Sequence, residues 1–242
     1  LNIVNKKILF LDYDGVLFDT LKEVYLVNRF LYLGKSYFEE LDKENYEKYS
    51  KFKYLIYNLW LFYYYNPLIF ENSNNIEEDF KSALLNRNLQ KEEIYCEEFL
   101  DARSELIKTH YDFWKSLETP YDFFLDIKNL YNSKNINLAI VSKKNKSSIL
   151  EKFKAHDFNL DEKFVFAREV LDKYPTKKDF MLEYMKENGF EEAIFVDDNF
   201  NNIKPTLNCP KINTILALWG NSEPNKEGLG QKEAFHLINN SL

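Results

Sequence analysis

Three short apolar runs constrain this chain most: Lys7–Leu11 (KILFL), Asn137–Val141 (NLAIV) and Ala193–Val196 (AIFV). A strand that is apolar on both faces is covered on both faces, as in a parallel sheet packed between crossover helices. Each run stops at side chains that do not belong in a core: Asp12 and Asp14, then Ser142, then Asp197 and Asp198. Further strands are expected at Phe164–Ala167 and Ile212–Leu218. Helices are expected at Tyr121–Tyr131, around Ile149 and Phe153, at Lys177–Asn188 (stopped by Gly189) and at Glu233–Ile238, with Gly220–Gly230 as a loop. Strands alternating with helices define an α/β class with a doubly wound parallel sheet. The opening segment, from Leu1 to Leu11, reads as the first strand and lacks the layout of a secretion signal.

One block interrupts the rhythm. From Thr20 to about Pro120 the apolar spacing is helical almost throughout. Leu21, Val24, Tyr25 and Asn28 share a face, as do Ile76, Phe80, Ala83 and Leu84, while Phe99, Ala102, Leu106 and Phe113 fall on one longer helix. The expected organisation is therefore an α/β core of residues 1–19 and 120–242, with an all-helical insertion at 20–119. The uncharged stretch Tyr54–Phe70 is too broken by Asn58, Asn66 and Pro67 to span a membrane. Phe52, Leu55, Ile56, Leu59, Phe62 and Tyr63 instead suggest one buried amphipathic helix. Its aromatic residues read first as packing and second as a substrate wall.

Composition narrows the function. With 39 acidic and 32 basic residues the net charge is -7, and no basic face points to nucleic acid. Cys96 and Cys209 lie far apart and the three histidines are scattered, which argues against zinc and a disulfide framework and fits a reducing cytoplasm. His110 and His156 lack a partner at ligand spacing and read as surface or packing residues.

In an open α/β sheet, ligands bind beyond the carboxyl ends of the strands. That edge collects Asp12, Asp14, Ser142, Asp197 and Asp198, with a lysine-rich turn, Lys173–Lys178, before the helix that feeds the last acidic strand. Carboxylates gathered this way repel one another unless a cation sits among them, and an all-oxygen donor set suits Mg²⁺. Taken singly, Asp-Gly is also a turn pair, Ser142 and the Asp197-Asp198-Asn199 segment are also helix caps, and Lys143, Lys144 and Lys146 are also a solvated charge run. Asp19 reads as a structural residue that ties the loop or caps the helix from Thr20.

The segment Asp12-Tyr-Asp-Gly-Val-Leu-Phe-Asp-Thr20 resembles the DxDGxxxD signature of the haloacid dehalogenase superfamily, and Ser142, a lysine, and Asp197-Asp198 follow in that superfamily's order. The resemblance covers roughly Lys6–Thr20 and Pro120–Trp219. It implies a Rossmann-like core, and the helical insertion resembles a type 1 cap domain. It also implies a Mg²⁺-dependent phosphatase acting on a small phosphorylated metabolite through an aspartyl-phosphate. In that scheme Asp12 is the nucleophile, Asp14 the acid and base, and Ser142 a phosphate donor. Lys177, with Lys173 and Lys178 as alternatives, supplies fixed positive charge. Asp12, Asp198 and the Asp14 carbonyl hold the metal, and Asp197 is either a further ligand or a support. The acid at Asp14 distinguishes phosphoryl transfer from carbon–halogen cleavage, since the true dehalogenases of the superfamily lack it. A phosphomutase of the same fold and a catalytically idle partner-binding domain are the alternatives. No nucleic-acid or membrane partner is expected, and the chain is expected as a monomer or homodimer.

Overall fold

A computed structural model describes residues 6–242, so the part of the expected opening strand before Lys6 lies outside the described residues. The chain divides into two compact units, one made of the residues up to Asp19 together with Thr119–Leu242, the other of Thr20–Glu118. In chain order the elements begin with β1 (Lys7–Leu11) and β2 (Phe18–Asp19). The helical unit follows: α1 (Leu21–Leu33), α2 (Lys43–Phe52), α3 (Phe62–Phe70), α4 (Ile76–Ala83), α5 (Leu89–Thr109) and α6 (Tyr111–Leu117). The chain returns through β3 (Thr119–Pro120), α7 (Asp122–Ser133), β4 (Asn137–Val141), α8 (Lys146–Ala155), β5 (Val165–Phe166) and α9 (Arg168–Leu171). It closes with α10 (Lys177–Asn188), β6 (Glu192–Asp197), α11 (Phe200–Ile203), β7 (Ile212–Leu216) and α12 (Gln231–Ser241).

The main sheet has the order β5-β4-β1-β6-β7, and every neighbouring pair is parallel. The strand sequence therefore reverses direction around β1, which is where a doubly wound sheet opens a crevice at its carboxyl edge. The apolar runs explain the layering. Leu9, Leu11, Leu138, Ile140, Ile194 and Val196 point to a core shared with Phe123, Ile127, Phe153 and Ile238 of α7, α8 and α12. Ile8, Phe10, Ala139, Val141, Ala193 and Phe195 point the other way, onto Phe180, Met181 and Met185 of α10. Each large apolar side chain so buried contributes about 1.5–3 kcal/mol. A two-stranded antiparallel ribbon, Phe18↔Pro120 and Asp19↔Thr119, joins the strands that flank the helical insertion.

The helical unit has its own apolar core, with Tyr25, Tyr49, Phe62, Tyr65, Phe99 and Trp114 deeply buried. Parts of its polar interior are paired: Arg103 Nε donates to Glu23 Oε1 at 2.7 Å, and Asn28 Nδ2 donates to Tyr49 Oη at 2.7 Å. Within it lies a cavity of about 490 Å³ bordered by Tyr32, Tyr63, Tyr64, Asn66, Tyr95 and Glu98. Tyr63 and Tyr64 thus border open space, whereas Leu61, Phe62 and Tyr65 are core. Among the described residues no helix is long and apolar enough to cross a membrane.

Local backbone chemistry changes several expected boundaries. Residues 52–63 do not form one helix, because Ile56 and Asn58 are extended and separate a 3₁₀ turn at Lys53–Leu55 from a second one at Leu59–Leu61, which runs directly into α3. Pro67, expected as an interruption, sits inside α3. Phe113 belongs to α6 and not to α5, since His110 leaves the helical region at φ -139°, ψ 50°. Asp19 lies in β2, one residue before the N-cap position that Thr20 occupies without a side-chain cap bond. His110 and His156 pack against aromatic rings, with His110 edge-on to Phe38 and His156 against Phe18 and Phe124.

Candidate active site

Parallel register brings the strand-end residues together. Leu11 is paired with Ile140 on one side and Val196 on the other, so the next residues, Asp12 and Asp197, leave adjacent strands at the same level. The Asp12 amide donates to the Val196 carbonyl at 2.9 Å and extends the ladder by one residue beyond β1. Beyond it the backbone turns: Gly15 adopts φ 76°, and its amide donates to the Phe18 carbonyl at 2.8 Å. Tyr13, Val16, Leu17 and Phe18 are all buried in the core beneath, so the loop is fixed by its own apolar side chains.

Carboxylate oxygens of Asp12, Asp197 and Asp198 come within 4.8 Å of one another, and all three residues are buried. Lys177, at the start of α10, projects into this group. Its Nζ lies 2.7 Å from Asp197 Oδ2 and 3.1 Å from Asp12 Oδ1, with the ammonium almost completely removed from solvent. Thr176 and Asp179 form a reciprocal capping box that pins this helix start. Lys173 is exposed and Lys178 half-buried, so of the three lysines Lys177 is the one brought to the carboxylates. Ser142 is buried at the end of β4, and its amide donates to the Phe166 carbonyl at 3.0 Å. The N-cap of α8 is Asn145, so Ser142 does not cap that helix, whereas the Asp197-Asp198-Asn199 segment does cap α11 through Asn199, whose Oδ1 accepts from the Asn201 amide at 3.0 Å.

The acids differ in how they are held. Asp197 accepts from Lys177, from the Asn199 amide at 2.8 Å and from Asn202 Nδ2 at 3.1 and 3.2 Å. That saturation makes it the anchor of Lys177. Asp12 accepts from the Tyr13 amide at 2.8 Å as well as from Lys177. The Asp12 carboxyl is raised to about 8: burial is the largest cause, Lys177 opposes it, and Asp197, Asp198 and Asp14 add to the rise. Lys177 is pushed above its ordinary value by Asp12 and Asp197, which outweigh its burial. Three buried carboxylates around one buried ammonium leave the site with more negative charge than its lysine offsets. A divalent cation would correct this, and the clustered hard oxygens fit Mg²⁺.

Two groups reach the site that strand-end reasoning left out. Lys144, read as part of a solvated run, is buried: its Nζ lies 3.2 Å from Asp14 Oδ1 and 5.3 Å from the centroid of the Tyr13 ring. Its backbone is tied at both ends of the turn, since the Arg168 amide donates to the Lys144 carbonyl at 3.1 Å and the Lys144 amide to Ser142 Oγ at 3.4 Å. Lys143 pairs with Asp172 at 2.8 Å. The second group is the turn Trp219-Gly220-Asn221 after β7, where the Asn221 amide donates to Asp198 Oδ2 at 2.6 Å. Extending the strand-end rule to β7 would have found this turn; Lys144 lies just past the end of β4, in a lysine run that could assist anion binding but reads first as solvated.

The order β5-β4-β1-β6-β7, with three buried acids at the switch point, defines a doubly wound α/β protein. The chain shares its fold with solved structures described as haloacid dehalogenase-like hydrolases. A haloacid dehalogenase-like hydrolase from Streptococcus pneumoniae is 13% identical at TM-score 0.58, with 96% of this chain and 97% of that one covered. A predicted phosphatase from Clostridium acetobutylicum is 15% identical at TM-score 0.56, covering 96% and 97%. A subfamily IA hydrolase of the superfamily from Geobacter sulfurreducens is 13% identical at TM-score 0.52, covering 96% of each chain. No family model and no curated protein matches the sequence.

Proposed function

We propose that this chain is a Mg²⁺-dependent phosphatase that hydrolyses a small phosphorylated metabolite through an aspartyl-phosphate on Asp12. The observation that carries the reading is the buried set of Asp12, Lys177, Asp197 and Asp198 at the β1–β6 switch point, with Asp14 two residues beyond the nucleophile. The fold shared with structures described as hydrolases and phosphatases supports it.

In the first step an Asp12 carboxylate oxygen bonds to phosphorus while the bond from phosphorus to the ester oxygen breaks. Asp14 donates its proton to that departing oxygen. In the second step a water oxygen attacks the same phosphorus, the bond to Asp12 breaks, and Asp14 takes the water's proton and is restored. Lys177, held by Asp197, places a fixed ammonium beside the Asp12 oxygen, where the phosphoryl group gathers negative charge. Ser142 donates its hydroxyl to a phosphoryl oxygen. Asp12, Asp198 and the Asp14 main-chain carbonyl, with Asp197 as further ligand or support, would hold a Mg²⁺ that supplies positive charge between nucleophile and phosphoryl oxygens.

The test is a panel of phosphorylated metabolites and p-nitrophenyl phosphate with Mg²⁺ and with EDTA, scoring phosphate release to water against transfer to a sugar hydroxyl. Release to water, lost in EDTA and restored by Mg²⁺, is expected. Transfer to sugar alone would make the chain a mutase, and metal-independent turnover would remove the metal roles.

A further inference from the structure

Asp198 is held by a device outside the strand-end acids. Its carboxylate lies between two glycines that leave no space for a side chain. A Cβ on Gly15 would stand 1.8 Å from Asp198 Oδ2, and one on Gly220 would stand 2.6 Å from both the Cβ and Oδ2 of Asp198 and 2.2 Å from the Gly15 carbonyl oxygen. Into this slot Asn221 sends two donors, its amide at 2.6 Å and its Nδ2 at 3.2 Å, both to Asp198 Oδ2. The turn is itself fastened to the loop after β1, because Trp219 Nε1 donates to the Val16 carbonyl at 3.0 Å and its ring packs against Phe123 at 4.9 Å. The Ala217 amide bonds to the Asp197 carbonyl at 2.9 Å, so the strand leading into the turn is registered against the acidic strand.

We infer that Asn221 is a positioning residue for the metal: it fixes the rotation of the Asp198 carboxylate so that the site meets the strict geometry of Mg²⁺. This rests on the phosphatase reading only in assigning Asp198 to a cation. A carboxylate on a single-bonded stem is free to rotate, and donors behind a metal-ligating group hold its orientation; removing such a partner typically weakens metal binding by about 10–100-fold. Two donors on one oxygen, one of them from the main chain, make the orientation a property of the turn. Mg²⁺ requires near-ideal octahedral ligands, whereas Ca²⁺ accepts irregular ones, so a loosened carboxylate penalises the smaller ion more.

The experiment is a calorimetric titration of the metal-free full chain with Mg²⁺ and, separately, with Ca²⁺, for the wild type, Asn221→Ala and Gly220→Ala. Asn221→Ala keeps the main-chain donor and removes the side-chain one, so its Mg²⁺ affinity should fall about tenfold. Its Ca²⁺ affinity should fall much less. Gly220→Ala, which drives a methyl group into Asp198, should lose more of both. Thermal melts of the metal-free variants verify folding, and Asn221→Ala serves if Gly220→Ala does not fold. Equal loss for the two cations would mean that Asn221 merely supports the turn, and an unchanged Mg²⁺ affinity would remove its role altogether; either overturns the inference while the metal site stands. A wild type that binds neither cation would overturn the metal reading itself, and the inference with it.

Discussion

Replacing Asp197 by alanine separates a residue that anchors the buried Lys177 from an ordinary acid. Asp197, itself fully buried, receives the buried Lys177 ammonium at 2.7 Å, the Asn199 amide at 2.8 Å and the half-buried Asn202 side chain. Removing one partner of a buried ion pair costs about 3–5 kcal/mol, because the remaining charge is left without its compensation. Lys177 keeps an Asp12 oxygen at 3.1 Å as a hydrogen-bond acceptor, so the lower end, about 3 kcal/mol, applies. In a chain of this size 1 kcal/mol shifts the melting midpoint by roughly 2–4 °C, giving a fall of about 6–12 °C by calorimetry at neutral pH. The control is Glu192→Ala, which breaks the exposed pair with Lys7 at 3.1 Å and should barely move the midpoint. Turnover should fall about 10²–10³-fold, the scale of losing one positioned electrostatic group. An Asp197→Ala midpoint no lower than the control's, or near-normal turnover, would refute the reasoning.

The raised Asp12 value makes the metal-free protein pH-sensitive. With its value lifted from 3.8 to about 8, folded Asp12 holds a proton that the unfolded chain has released, so metal-free stability should fall as pH rises from about 4 through 8. Melts across that range should show the decline without Mg²⁺ and a weaker decline with it; a flat profile without metal would contradict the burial argument. Lys177 acts further up: its stabilisation is present below 10.5 and is lost as pH rises through its elevated folded value, which melts above pH 10 would register. Lys144→Met should slow glycerol phosphate about tenfold more than p-nitrophenyl phosphate, whose leaving group needs little protonation, because a displaced Asp14 is a poor acid. Equal losses on the two esters would separate Lys144 from Asp14.

The parts of the fold legible in the sequence are those where one local rule suffices. β1, β4 and β6 are apolar on both faces, and Thr176 with Gly189 brackets α10 at both ends. Asp12, Asp14, Ser142, Asp197 and Asp198 were found because strand ends in such a sheet point to one edge. What escaped depends on contacts distant in the chain or on single backbone angles. The β2–β3 ribbon pairs residues about a hundred positions apart over two residues each, too short to leave a pattern. The break between α5 and α6 turns on His110 alone, and the continuation of α3 through Pro67 overrides a residue that usually ends helices. Lys144 is buried because the Arg168 amide and the Asp14 carboxylate, neither near it in sequence, hold its turn inward. In sequence it looked like one of three solvated lysines.

If Asp12 carries the phosphoryl group, an acid-quench labelling experiment will catch it there. The wild-type chain, mixed with ³²P-labelled substrate and Mg²⁺ and stopped in acid within the first turnover, should yield a labelled peptide containing Asp12. The label should be absent in Asp12→Asn and after EDTA, while Asp12→Asn keeps the wild-type fold by circular dichroism. Label on another residue, or Asp12→Asn turning over at a near-normal rate, would contradict the account.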